Sequence, residues 1–369
     1  MATEYTHWAT LPGYKDGVLS LTISPDSKYL VVTGYAGVAI WNVAERRALR
    51  VPSLTVDARG KHLYTCSSWL FFQDSSSEVL VLGSRSGDLQ LWKWDAAQNG
   101  FVRSRRFKNK QGPSETLSMD VYQSSVPALS SGMVVAAMAS HRVVLLDVSA
   151  QLDVTELFSI TMDQNCRPQN VKFDAFAHTF LVFAQAGGVI QRFDCLSGAR
   201  VGMMIDGPQV MACVAVDPRG QRFVAYTGQS LEVVSMNHAM ASHSIPCDAT
   251  DILYPMHVAF AEGGEVLLFG TDKGRAMVYD MNTFSQVQTL AYPRGGLVQH
   301  VAACTTNTHH IVAYAGSSIE QESDVILYRK KIPRGAKRWT TSGVCKCMFV
   351  MVGVYWMIVL VLLVHRFIL

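Results

Sequence analysis

The sequence predicts an all-β fold, a seven-bladed β-propeller, followed by a single C-terminal transmembrane α-helix. Three observations predict it. Short apolar runs split by tight turns repeat along most of the chain. Each repeat closes on a bulky apolar residue, usually aromatic, followed by a polar one. The chain then ends in "SGVCKCMFVMVGVYWMIVLVLLVHRFIL", with no charged residue from Met348 to Val364.

The first repeat, "GVLSLTISPDSKYLVVTGYAGVAIWNV" (17–43), holds three short apolar runs. Its counterpart "YPMHVAFAEGGEVLLFGTDKGRAMVYDM" (254–281) follows the same plan. The first turn is Ser24-Pro25-Asp26 in one and Glu262-Gly263-Gly264 in the other, residues that supply a fixed φ or φ > 0. The Val, Ile, Leu and Phe between the turns suit buried strands. The closing pair falls at Trp41-Asn42, Trp92-Lys93, Leu146-Asp147, Phe193-Asp194, Val234-Ser235, Tyr279-Asp280 and Tyr328-Arg329. The spacings are 51, 54, 47, 41, 45 and 49 residues. A period of about forty to fifty with several strands per repeat is a propeller signature, and seven endings give seven blades.

"ISPDSKYLVVTG", "GSRSGDLQLWKWD", "VDPRGQRFVAYTG" and "GTDKGRAMVYD" resemble the WD40-repeat family over roughly residues 5–331. No Gly-His dipeptide opens a repeat, and only Trp41 and Trp92 hold the family's Trp position. The Asp-His-Ser-Trp network of such blades is therefore expected to be largely missing. The resemblance implies a fourth, outer strand per blade, for which Ala48–Val51, Phe101–Phe107, Glu156–Met162, Ala199–Ile205, Ala241–Cys247 and Ser285–Tyr292 are candidates. After Tyr328 no candidate follows, so the resemblance implies that the N-terminal strand 3–11 completes the seventh blade and removes an open edge. The expected organisation is a propeller over 1–331, a basic linker 332–343, a membrane span 344–364 and a far-side tail 365–369.

Net charge is +3, but unevenly spread. Of the 32 Lys and Arg, eight lie from Arg329 onward, where no Asp or Glu occurs. Residues 1–328 thus hold 24 basic against 29 acidic residues, a body unlike that of a nucleic-acid binder. The eight cysteines show no CxxC pair and no disulfide framework, which reads as free thiols in a reducing compartment. The N-terminus lacks the basic-then-apolar order of a signal peptide. No GxSxG, GxxxxGK[ST], HExxH or GxGxxG motif occurs, so no enzyme, no cofactor and no metal site is expected. His309 and His310 are adjacent, so on a strand they point to opposite faces. His238 and His243 read as loop residues, and Asp147, Asp194 and Asp280 as turn-capping carboxylates.

Turns between second and third strands gather on one rim, and in WD40-like proteins that rim commonly binds peptides or partner domains. The resemblance thus makes Tyr35, Arg85, His141, Gln185, Gln229 and Asp272 candidate partner-binding residues, with solvated turns as the plainer reading. The basic run "FVRSRRFKNK" (101–110) reads first as a charged, protected outer strand and second as a patch for anionic lipid headgroups or an acidic partner.

The apolar segment 348–364 is 17 residues, roughly 25 Å as a helix, against a hydrocarbon core of about 30 Å. Val344–Cys347 closes the gap if Lys346 snorkels. Seven basic residues precede the span and only Arg366 follows, which places the propeller in the cytosol. This is tail-anchor topology. A short span suits the thin endoplasmic reticulum membrane, with the outer mitochondrial membrane as alternative. Arg334, Lys337, Arg338 and Lys346 are candidate lipid-proximal cations. Cys345 and Cys347 stand at the boundary, where palmitoylation or plain thiols both fit.

Two functions follow as expectations. The first is a non-enzymatic scaffold that recruits protein partners to the cytosolic face of an internal membrane. The second is a guanine-nucleotide exchange factor for a small GTPase in vesicle-coat assembly, because a cytosolic propeller plus one span resembles the layout of the Sec12 family. That family uses an extended loop in its first blade, whereas here the matching turn is the tight "TGYAG" (33–37).

Overall fold

A computed structural model describes residues 4–54, 62–174, 176–202, 205–236, 241–248 and 255–333. It is a seven-bladed all-β propeller. β1 (Thr6–Tyr14) precedes the first blade. Blade one is β2 (Val18–Ile23), β3 (Tyr29–Gly34), β4 (Gly37–Asn42) and β5 (Arg47–Ala48). Blade two is β6 (Tyr64–Phe72), β7 (Ser77–Ser84), β8 (Leu89–Asp95) and β9 (Gly100–Phe107). Blade three opens with β10 (Thr116–Val121). The short β11 (Ser125–Val126) leaves that blade and pairs in parallel with β6. Blade three continues with β12 (Gly132–Met138), β13 (Arg142–Val148) and β14 (Val154–Thr161).

Blade four is β15 (Pro168–Asp174), β16 (Thr179–Ala184), β17 (Val189–Asp194) and β18 (Ile205–Asp206). Blade five is β19 (Cys213–Val216), β20 (Arg222–Tyr226), β21 (Ser230–Ser235) and β22 (Ala241–Pro246). Blade six is β23 (Val258–Ala261), β24 (Val266–Gly270), β25 (Arg275–Asp280) and β26 (Gln286–Ala291). Blade seven is β27 (His300–Thr305), β28 (His309–Ala315) and β29 (Ser323–Lys331), with β1 as its outer strand.

The second strands explain the packing. The centres of β3, β7, β16 and β24 read as unbroken apolar runs rather than alternating ones, because both faces of each blade are covered. Along β7, Val79 and Val81 pack towards blade three, while Leu80 and Leu82 pack towards blade one. Along β16, Phe180 and Val182 face blade three, while Leu181 and Phe183 face blade five. The buried apolar residues accordingly form one cluster at each seam between neighbouring blades.

Ring closure is a seam of the same kind. β1 pairs antiparallel with β29 from Thr6↔Arg329 to Tyr14↔Ser323, with irregularities after His7 and Leu11. It delivers Ala9, Leu11 and Tyr14 to the cluster shared by blades seven and one. Gly34 permits the close approach there. A Cβ at that position would collide with the Gly17 carbonyl oxygen and the Tyr14 hydroxyl, which itself donates to the Gly37 carbonyl at 3.0 Å.

Two outer strands are shorter than the sequence suggests. In blade one only Arg47–Ala48 pairs, against Trp41 and Asn42. In blade four the strand expected at 199–205 is seen as an isolated bridge between Phe193 and Arg200 and the short Ile205–Asp206, with 203–204 outside the described residues. Gly198 and Gly202 hold φ of 68° and 72°, outside the strand region, and break the run.

Turn chemistry behaves as read at most strand ends. Asp194 accepts from the Leu196 and Ser197 amides and the Ser197 hydroxyl, and Asp280 from the Asn282 and Thr283 amides. These bonds hold both carboxyls below the ordinary range. Asp147 differs: it accepts from the Ser131 hydroxyl across the blade rather than capping its own turn. His243 also differs, lying in β22 with its ring stacked on Phe284 at 4.1 Å.

Leu11 is fully buried at the closing seam. Leu11→Ala is expected to cost about 2–5 kcal/mol of unfolding free energy in denaturant titration. Removal of residues 1–12 is expected to lower the thermal midpoint sharply; a truncated protein that melts like the full chain would show that closure does not depend on β1.

Candidate functional site

Antiparallel order within each blade sorts the connections between two rims. Turns from second to third strands share one rim with the crossovers that lead into the next inner strand. The remaining hairpin turns share the opposite rim. The six sequence-chosen residues all lie on the first rim. Tyr35 sits between β3 and β4, Arg85 between β7 and β8, and His141 between β12 and β13. Gln185 lies between β16 and β17, Gln229 between β20 and β21, and Asp272 between β24 and β25.

This rim is fixed by backbone hydrogen bonds between turn and crossover in every blade. The Tyr35 amide donates to the Gly17 carbonyl at 3.3 Å, Arg85 to Leu63 at 2.9 Å and Ala139 to Glu115 at 2.8 Å. Gln185 donates to Arg167 at 2.9 Å, Cys247 to Gln229 at 3.0 Å, Val298 to Thr271 at 2.8 Å and Ser317 to Leu297 at 2.9 Å. Seven turns so tied make a preorganised surface rather than seven independent loops.

The side chains are not equally available. Tyr35, Arg85, Gln185 and Gln229 are exposed. His141 is half-buried at φ 62°, with Nδ1 3.3 Å from the Asp163 carbonyl. Asp272 is half-buried and lines a cavity of about 270 Å³ beside the Arg275–Asp248 ion pair, which closes at 2.7 Å. Gln185 Oε1 accepts from Arg167 at 3.2 Å. Blade seven adds Ile319, an exposed apolar residue that the sequence reading missed. A Cβ on Gly17 would touch Ile319 and the carbonyls of Ser317 and Ser318. Tyr35 and Ile319 therefore flank the same crossover, a proximity that arises only when the ring closes.

The axis holds a cavity of about 340 Å³ to which every blade contributes wall residues. Side chains stitch adjacent inner segments around it. Ser20 bonds Ser67 at 2.8 Å, Ser118 Oγ accepts from the Val171 amide at 3.2 Å, and Asn170 Oδ1 accepts from the Val214 amide at 3.3 Å. Lys172 lies where this channel meets a second cavity of about 350 Å³. Asp120 is half-buried beside it; desolvation raises its carboxyl pKa, and the Lys172 charge opposes that rise. The His257 and His300 rings sit 4.2 Å apart in the wall. Burial, with Lys172 adding to it, lowers His257 to about 4, and burial together with His257 lowers His300 well below the usual range. Both rings are neutral at pH 7.

Among the described residues no three His, Cys, Asp or Glu side chains group to hold a metal. His309 and His310 part on their strand, bonding Thr308 and Thr305 respectively. The basic run in β9 is used structurally: Arg105 pairs with Asp153 of blade three at 3.1 Å, and Arg106 pairs with Asp88. Trp92 Nε1 is buried with no hydrogen-bond partner among the described residues, so the Trp-centred network is absent at that position. Arg334, Lys337, Arg338, Cys345, Lys346, Cys347 and the apolar segment 344–364 lie outside the described residues. Among those that are described, no helix is long and apolar enough to cross a membrane. Comparison with models of known families and with curated proteins gives no match.

The histidine pair predicts an acid response. Its folded pKa values lie below the unfolded value of about 6.5, so its stabilising effect is present above pH 6.5 and lost as pH falls towards 4. His257→Gln is expected to remove on the order of 3 kcal/mol of that pH-dependent loss, read by chemical denaturation at pH 7 and pH 4.

Proposed function

We propose that this chain is a membrane-anchored WD40-like propeller acting as a non-enzymatic interaction scaffold. The observation that carries the reading is the rim of seven turns, each tied to a crossover, which presents Tyr35, Arg85, Gln185 and Gln229 on a rigid ring. Aromatic and Arg side chains on a preorganised surface suit protein recognition. The WD40 assignment draws on the propeller together with Trp41 near the end of β4 and Trp92 within β8, both in third strands. The anchor draws on the uncharged run 348–364, and the cytosolic side on the basic residues before it. The endoplasmic reticulum is the favoured membrane because the span is short.

Exchange-factor activity on a Sar-type GTPase is the second reading, from layout alone. The first blade's turn between β3 and β4 is only Tyr35-Ala36, which offers no extended loop there. A guanine-nucleotide release assay separates the readings: the scaffold predicts no acceleration.

Deleting 344–369 is expected to move the protein from the carbonate-resistant membrane fraction to the soluble one with an unchanged melting profile. A deleted protein that stays in the pellet refutes the anchor. Combined Tyr35→Ala, Arg85→Ala and Gln229→Ala is expected to cut partner recovery in proximity labelling at least tenfold. Each exposed change should shift stability by less than about 0.5 kcal/mol.

A further inference from the structure

The rim opposite the candidate partner-binding surface carries an unusual feature. The hairpin joining β10 to β12 spans residues 122–131 and is much longer than its counterparts in the other blades. Its body is pinned rather than loose. β11 pairs with Phe71 and Phe72 of the neighbouring blade. The Phe71 amide donates to Ser124 at 2.7 Å, the Gln73 amide to Val126 at 3.1 Å, and Gln73 Nε2 to the Ser125 hydroxyl at 3.0 Å. What this scaffold displays is the apolar tip Pro127-Ala128-Leu129, exposed throughout. Leu129 is 99% exposed, holds a left-handed φ of 60°, and is fixed there by its amide donating to Asp74 at 2.7 Å. A leucine held in that conformation with its side chain in solvent costs backbone strain and buries no apolar surface.

Two further side chains share this rim in blade four. Phe176, in the turn between β15 and β16, is 70% exposed; Leu196, in the turn after β17, is 80% exposed. These three are the most exposed large apolar residues described, whereas Tyr35 and Ile319 on the other rim are 37% and 51% exposed. Isolated exposed apolar residues are ordinary, but their concentration on one rim is not. The end of β29 at Lys331 lies on this same rim. Residues 332–343 then number twelve, so thirteen steps separate Lys331 from 344, at most about 47 Å when fully extended. A span beginning at 344 therefore starts within that distance of Lys331.

We propose that this rim meets the bilayer surface, with Leu129, Phe176 and Leu196 seated at the headgroup boundary. The inference rests on the membrane-anchor reading above. Leu and Phe suit that depth, where apolar side chains enter while backbone groups keep polar partners. The consequence is orientation: the rim with Tyr35, Arg85 and Gln229 is turned away from the membrane, where a partner can reach it.

The test uses the full chain reconstituted in phosphatidylcholine–phosphatidylserine vesicles. An environment-sensitive coumaryl amino acid is placed at position 129, 176 or 196, with position 35 as control. Doxyl-labelled lipid is expected to quench the first three at least twofold and leave position 35 unquenched. Carbonate-resistant vesicles with no quenching at 129, 176 and 196, or equal quenching at 35, overturn the orientation while the anchor stands. Carbonate-extractable protein overturns the anchor and the orientation together. A coumaryl group at 129 that is shielded from water yet unquenched by lipid assigns the tip to a protein groove instead and overturns the proposal. Leu129→Ser is expected to leave the thermal midpoint unchanged, which confirms that the tip serves nothing within the fold.

Discussion

Every blade of this propeller is held from both sides, and the rest of the molecule depends on that constraint. A four-stranded sheet of this size cannot bury two apolar faces alone. Each sheet must find a neighbour on its left and another on its right, and the ring is the arrangement in which none goes without. The burial pattern records this directly in β3, β7, β16 and β24, whose central apolar residues alternate between two seams. A ring also has a join, and here β1 makes it by crossing from the start of the chain to β29.

The seams organise function as well as stability. Because all blades point the same way round the axis, the turns from second to third strands land on one rim and the remaining hairpins on the other. The first rim is stiffened by turn-to-crossover hydrogen bonds in each blade. The second carries acid-capped turns such as those at Asp194 and Asp280, and the apolar tip at Leu129. One surface is polar, rigid and mixed in character; the other combines capped turns with the most exposed hydrophobic side chains and the end of β29. The axis between them is lined largely by hydroxyl and amide groups, with Lys172 where it meets a second cavity, and its histidines stay neutral because burial disfavours their charged forms.

The repeat period, the turn residues and the split of charge are local features of the chain, and they were legible in it. Trp41-Asn42, Phe193-Asp194, Val234-Ser235 and Tyr279-Asp280 end third strands where the pattern places them. Blade two runs on past Trp92-Lys93 to Asp95, because Trp94 and Asp95 still find partners in β9. The turn positions of the first rim were legible for the same reason: a Gly-, Ser- or Asp-rich break between two apolar runs marks a turn whatever surrounds it. Outer strands were harder, since they bury only one edge and tolerate breaks. In blade four Gly202 takes a positive φ inside the expected strand, while the seams on either side stay packed.

What the order of residues could not express is proximity across the ring. Tyr35 and Ile319 flank one crossover although hundreds of residues separate them, and His257 meets His300 only because blades six and seven share a wall. Lys172 looks like any strand lysine until seven inner segments surround it. Leu129 looks like a core residue in an apolar stretch, yet it is fully exposed because β11 crosses to another blade and leaves the tip beyond it. Period, charge and composition are properties of neighbours along the chain, so the amino-acid order settles the number of blades and their polarity. Burial, pKa and the sharing of a rim depend on distances set only when the last seam closes, and those the tertiary structure decides.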